Sequence, residues 1–162
     1  MRRITSLLIV GLLALAGCGG SNSKTTTTTK TVSAVTTFKN AYAAEKAKLS
    51  KLGENVGSAV EGANKKSNEA LMKQFQSLGA RATALSGALG QLEAPAQYKG
   101  YLSTLQSSIT QVAGSLHAIE AAAAANDPEA AKAAAEALVA NAQEVKKSDN
   151  SLSAKLGLPT SP

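Results

Sequence analysis

Apolar side chains recur alternately three and four positions apart in four successive stretches of this chain. The first runs Val35, Phe38, Tyr42, Glu45, Leu49, Leu52, Val56 and then Ala59 or Val60, and the second Leu71, Phe75, Leu78, Ala82, Leu85, Leu89 and Leu92. The third runs Tyr98, Leu102, Leu105, Ile109, Val112, Leu116, Ile119 and Ala123, and the fourth Ala131, Ala135, Leu138, Ala142, Val145, Asp149, Leu152 and Leu156. A 3-4 alternation gathers residues on one stripe of a helix, whereas a strand needs period two. No segment of useful length shows that shorter period, so the pattern predicts four helices, at about 32–61, 67–93, 95–125 and 128–150. Only Glu45 and Asp149 interrupt the stripes.

The breaks have helix-boundary chemistry. Ser67 or Asn68 can cap the second helix, and Pro95 suits the first position of the third. Asp127, Pro128 and Glu129 supply an N-cap, an N1 proline and a favourable first-turn charge for the fourth. Connections this short make sequential helices antiparallel. The expected fold is therefore all-α, an up-down-up-down antiparallel four-helix bundle over residues 32–158, with 159–162 as a tail. Its layers would combine Leu52, Phe75, Leu116 and Leu138; then Leu49, Leu78, Val112 and Ala142; then Phe38, Leu89, Leu102 and Leu152.

Composition changes the picture in one respect. Of the 162 residues 32 are alanine and 13 glycine, while Phe and Tyr number only five and Trp is absent. Such a core is thin, and small residues permit either close helix contacts or a cavity. Gly53, Gly57, Gly79, Gly87, Gly90 and Gly114 fall inside expected helices, at roughly 1 kcal/mol each relative to Ala. Gly53-Glu54-Asn55-Val56-Gly57 is the expected place for a frayed or kinked turn.

The N-terminus has a different order. Arg2 and Arg3 precede an apolar run from Ile4 to Ala16, and small residues lead to Cys18. That is the layout of a secretory signal peptide, and about 13 apolar residues fall short of the roughly 20 that span a bilayer. Leu15-Ala16-Gly17-Cys18 resembles the lipobox of bacterial lipoproteins. The resemblance covers these first 18 residues and implies cleavage before Cys18, acylation of its thiol and amine, and anchoring on the extracytoplasmic face of the inner or outer membrane. Residues 1–17 would then be the signal. Residues 18–31, Thr-rich and without apolar side chains beyond Cys18, would be the acylated Cys and a flexible tether able to span about 40 Å.

This reading revises the charge. The whole chain carries 17 basic and 11 acidic residues, but Arg2 and Arg3 lie in the signal and Lys24 and Lys30 in the tether. From residue 32 onward the balance is 13 against 11, spread without a dense block, which argues against a nucleic-acid partner. The Lys46, Lys48, Lys51 group, with Glu45 and Glu54 nearby, reads as a solvated face.

Candidate chemistry is sparse. Cys18 is the one cysteine and is assigned to the lipid, so no catalytic, metal or cofactor role is expected for it. His117, the one histidine, sits at the edge of a stripe with Glu120 three residues on; Met72 and His117 lack the attachment motif expected of a haem protein. No nucleophilic triad, phosphate loop or paired-acid motif is present. Two alternatives stand for Asp149: a buried hydrogen bond with Tyr42, or a solvated position in a frayed helix end around 146–150. Tyr98 and Tyr101 form a possible contact patch, the alternative being core packing for Tyr98 and half-exposure for Tyr101. The expected function is a non-enzymatic, membrane-anchored binding or envelope-interaction module with a protein partner. The alternative is a carrier holding a small apolar ligand between its helices.

Overall fold

A computed structural model describes residues 25–161, with side chains from Val32 onward. The expected signal peptide, Cys18, the start of the tether and Pro162 lie outside the described residues. The chain forms α1 (Thr25–Glu61), α2 (Asn68–Gly90), α3 (Ala96–Ala125) and α4 (Pro128–Leu156), with a single 3-10 turn at Ala63–Lys65 between the first two. The described residues contain no strand. Side chains that meet across the seams fix the directions. Asn68 at the start of α2 bonds Asn126 at the end of α3, Ser108 of α3 faces Ser148 of α4, and Tyr42 of α1 meets Asp149 of α4. The result is the antiparallel, up-down-up-down four-helix bundle that the spacing predicts. No helix among the described residues is long and apolar enough to cross a membrane.

The caps explain the boundaries. Ser67 accepts from Ala70 N–H (3.3 Å) and Asp127 from Ala130 N–H (3.0 Å), each satisfying an N–H that the helix itself leaves open. Two helices end in left-handed residues, Asn126 after α3 (φ 55°) and Gly157 after α4 (φ 62°). In each case the next N–H reaches back five residues, Asp127 to Ala122 O and Leu158 to Ser153 O, the pattern of a Schellman cap.

Four boundaries differ from expectation. α1 begins at Thr25, so residues 25–31 of the expected tether are helical. Extending an existing helix adds one bond per residue fixed, which offsets the weak propensity of threonine. α2 stops at Gly90 rather than 93, where Gln91 closes the helix end, and Pro95 serves as the N-cap of α3 instead of its first residue. α4 does not fray at 146–150 but runs to Leu156, because Asp149 is bonded and Leu152 and Leu156 are buried. The frayed turn expected at Gly53–Gly57 does not occur, since α1 is helical throughout.

α3 occupies the centre. Every apolar stripe residue of α3 after Tyr98 is buried, and α2 and α4 pack closely along its length. Serine and glycine make that closeness possible. Ser86 bonds Thr110 (2.9 Å) between α2 and α3, Asn141 bonds Ser115 (2.9 Å) between α4 and α3, and the His117 ring lies directly over Gly79. The layer of Leu52, Phe75, Leu116 and Leu138 and the layer of Phe38, Leu89, Leu102 and Leu152 are buried on all four helices. The layer between them is not closed: Leu78 and Val112 are buried, but Leu49 is half-buried and Ala142 is exposed.

Candidate functional site

That open layer is part of a groove between α1 and α4, and its cause is legible in the side chains. At the end of α1 that carries its N-terminus, large groups fill the core and a lysine bridges to the end of α4. Phe38 stacks on Tyr42 and on Tyr98 (ring centroids 6.3 and 5.7 Å), and Lys39 Nζ donates to Gly157 O (3.2 Å), a cation at the negative end of α4. Further along, α1 presents Gly53 and Gly57 while the facing part of α4 presents Ala142. Small residues on both sides of one seam leave nothing to fill it. A Cβ added at Gly53 or Gly57 would meet no atom within 4 Å.

The resulting cavity has a volume of about 520 Å³. Its floor is Leu52, Ile109, Val112 and Leu138, all buried; its walls are Leu49 and Val56 on α1 and Val145 on α4, all half-buried. The lips are Val60 and Val139, and Val139 is 56% exposed, unusually open for a valine beside a core. From Lys46 to Glu61 along α1 the groove is about 22 Å long at ~1.5 Å per residue.

Its inner end is polar. Tyr42 Oη donates to Asp149 Oδ1 (2.5 Å), and Lys46 Nζ donates to Asp149 Oδ2 and to Ser153 Oγ (2.9 Å). Both carboxylate oxygens are thus occupied on a residue only 4% exposed, so the buried charge is paired and hydrogen-bonded. Burial, and then the bond to Asp149, push the Tyr42 phenol well above the usual tyrosine range. Of the two alternatives for Asp149, the structure therefore has the buried pair and not the solvated carboxylate. Lys46 does not lie on a solvated face as expected: Asp149, across the seam on α4, draws it inward to 20% side-chain exposure. One turn before Asp149, Lys146 also lines the groove, and it makes no ion pair with any described residue. The tail folds back here too, with Ser161 and Asn150 exchanging two hydrogen bonds (2.8 and 3.0 Å).

The remaining candidates lie elsewhere. For Tyr98 and Tyr101 the structure has the alternative reading, core packing for the first and partial exposure for the second. Tyr98 is half-buried against Phe38, while Tyr101 is exposed with Lys155 Nζ 5.8 Å from its ring centre. His117 Nδ1 and Glu120 Oε2 pair at 3.0 Å on the exposed face of α3, and Met72 on α2 is half-buried. Among the described residues no group of three or more His, Cys, Asp or Glu side chains could hold a metal ion. Glu45 does not simply reach solvent: Lys48 takes its Oε1 (2.7 Å), and Oε2 is shielded with no partner among the described residues. Sequence reasoning missed Lys46, Lys146, Val139 and the groove role of Gly53 and Gly57. The available signal was the occurrence of Gly53 and Gly57 on α1 together with the small Ala142 in the stripe of α4.

No family model matches the chain, and neither a curated protein nor a solved structure is significantly similar to it.

Proposed function

We propose that this protein is a lipid-anchored binding protein of the bacterial envelope that holds the hydrocarbon chain of a single-chain amphiphile in the α1–α4 groove. It binds without catalysing a reaction, is tethered through acylated Cys18, and faces the extracytoplasmic side. The groove carries the reading: it is long, narrow, apolar on its floor and walls, and open to solvent at its lips. Its volume lies within the range of small-molecule sites. A methylene is about as large as a water molecule, roughly 30 Å³ in the liquid, so about 520 Å³ accommodates roughly 17 chain carbons. Between the two functions expected from the sequence this favours the carrier, since Tyr98 is spent on packing against Phe38 and only Tyr101 is exposed. The anchor rests on the lipobox resemblance at Leu15-Ala16-Gly17-Cys18.

Gly57→Leu tests the groove. Leucine has room there and a better helix propensity, so the variant should be at least as stable as the parent while its side chain occupies the ligand's space. Radiolabelled hexadecanol in equilibrium dialysis should bind the full chain carrying Cys18→Ala, tighten by up to about fourfold per added methylene, and be lost from the Gly57→Leu form. Binding that survives Gly57→Leu would place the ligand elsewhere. The anchor has its own test: Cys18→Ala should leave unprocessed precursor or soluble protein in cell fractionation, and normal membrane retention would refute acylation.

A further inference from the structure

The two ends of the groove differ in charge, and this difference bears on the polar head of the ligand. At the inner end stand Lys46, Lys146 and Asp149; at the outer end stands Glu61, at the C-terminus of α1. Asp149 is fully engaged by Tyr42 and Lys46 and presents no free oxygen to a ligand. Lys146 is exposed at the groove's edge without an acidic partner among the described residues. An incoming head group therefore meets, among the described side chains lining the groove, one excess positive charge at the inner end. At the outer end it meets a carboxylate and the negative pole of a helix.

Resting on the reading of the groove as a hydrocarbon site, we infer that its ligand is anionic, a long-chain carboxylate. Its head lies against Lys146 beside the Lys46–Asp149 pair, and its tail runs along Leu49, Gly53 and Val56 toward Val60. A neutral alcohol gains only the hydrocarbon term. A cationic amine is repelled at the inner end and, if reversed, sets its ammonium at Glu61. Lys46 takes part through its charge, but its Nζ is held in the bonds that join α1 to α4. Lys146 is the specificity residue, free to turn toward a carboxylate.

The test compares hexadecanoate, hexadecanol and hexadecylamine by equilibrium dialysis against the full chain carrying Cys18→Ala, at low salt. Hexadecanoate should bind roughly three- to fivefold more tightly than hexadecanol, the size of an exposed ion pair, and the margin should shrink as salt screens it. Lys146→Gln should reduce hexadecanoate to the level of hexadecanol and leave hexadecanol unchanged. Lys146→Glu should invert the order in favour of hexadecylamine. Lys146 is exposed and outside the core, so both variants should keep the parent's helical circular dichroism and melting temperature. Equal binding of hexadecanoate and hexadecanol, or a preference untouched by both Lys146 variants, overturns the carboxylate assignment while the groove reading stands. Absence of all binding, or binding that ignores Gly57→Leu, overturns the groove reading and this inference with it.

Discussion

Asp149 shows how one residue can reverse its apparent meaning. In sequence it breaks an apolar stripe and is followed by Asn150 and Ser151, which suggests a fraying end. In the fold its carboxylate is the acceptor that joins α1 to α4 through Tyr42 and Lys46. Removing one partner of such a pair is worse than removing both, because the stranded charge loses its compensation. Lys46→Met should therefore destabilise the fold by about 3 kcal/mol, and adding Asp149→Leu together with Tyr42→Phe, so that no buried partner is stranded, should recover most of that loss in urea titration. Tyr42→Phe should lower stability by about 1–2 kcal/mol at neutral pH, since it leaves Oδ1 with only the longer contact from Ser153 (3.5 Å). It should also change the alkaline limb. The folded phenol holds its proton above the ordinary tyrosine pKa of about 10. Above that pH the native chain binds a proton that the unfolded chain has released, so stability falls as pH rises. Below it the contribution is fully present. Thermal melts from pH 8 to 11 should show a steeper alkaline decline in the parent than in Tyr42→Phe, and parallel curves would mean that the phenol is not held this way.

At the scale of helices, the chain wrote its boundaries in residues whose chemistry is local. Asp127-Pro128-Glu129 starts α4 as its sequence indicates, with Asp127 bonded to Ala130 N–H at 3.0 Å. Asp127→Ala should cost about 1 kcal/mol, while Asp127→Ser should cost little, as read by thermal unfolding. Ser67 is equally legible, and the stripes of α2 and α3 translate almost residue for residue into buried positions. What could not be read was how α1 sits against α4. The 3-4 spacing says which face of α1 is apolar but not how far that face stands from its neighbour. The distance depends on side-chain volume supplied from both sides of a seam. Gly53 and Gly57 suggested a frayed or kinked turn when α1 was considered alone; set against Ala142 they are half of a void. The same limit hid Lys46, whose Glu45, Lys48 and Glu54 neighbours in sequence are polar but whose partner lies 103 residues away. Gly79 and Gly90 are the opposite case, glycines that admit the His117 ring and the Gln106 amide of α3.

For the whole molecule, the unequal packing of the four helices carries a dynamic consequence. α2 and α4 grip α3 along most of its length, whereas α1 meets α2 and α4 over much shorter stretches. Its firmest attachment to α4 is at Lys39, Tyr42 and Lys46, next to the anchored end of the chain under the lipoprotein reading. Beyond Lys46 the groove separates the two helices, so the segment from Leu49 to Val60 has only Leu52 and Ala59 buried in the core and makes no hydrogen bond to α4 among the described residues. Segments with few buried apolar contacts open at lower free energy than the core they cover. A groove whose long wall opens about the Tyr42–Lys46 attachment can admit a chain about 22 Å long without unfolding α2, α3 or α4. Native-state hydrogen exchange should accordingly rank the amides. Those of residues 49–60 should exchange through local opening, ahead of residues 36–46, while the amides of residues 105–119 in α3 exchange only with global unfolding. Hexadecanol at saturation should slow exchange in residues 49–60 and 138–146 and leave residues 75–89 of α2 nearly unchanged, because a ligand protects what it holds closed. If residues 49–60 are instead as protected as residues 105–119 without ligand, α1 is a fixed wall and the ligand must enter through a groove that is already open between Val60 and Val139.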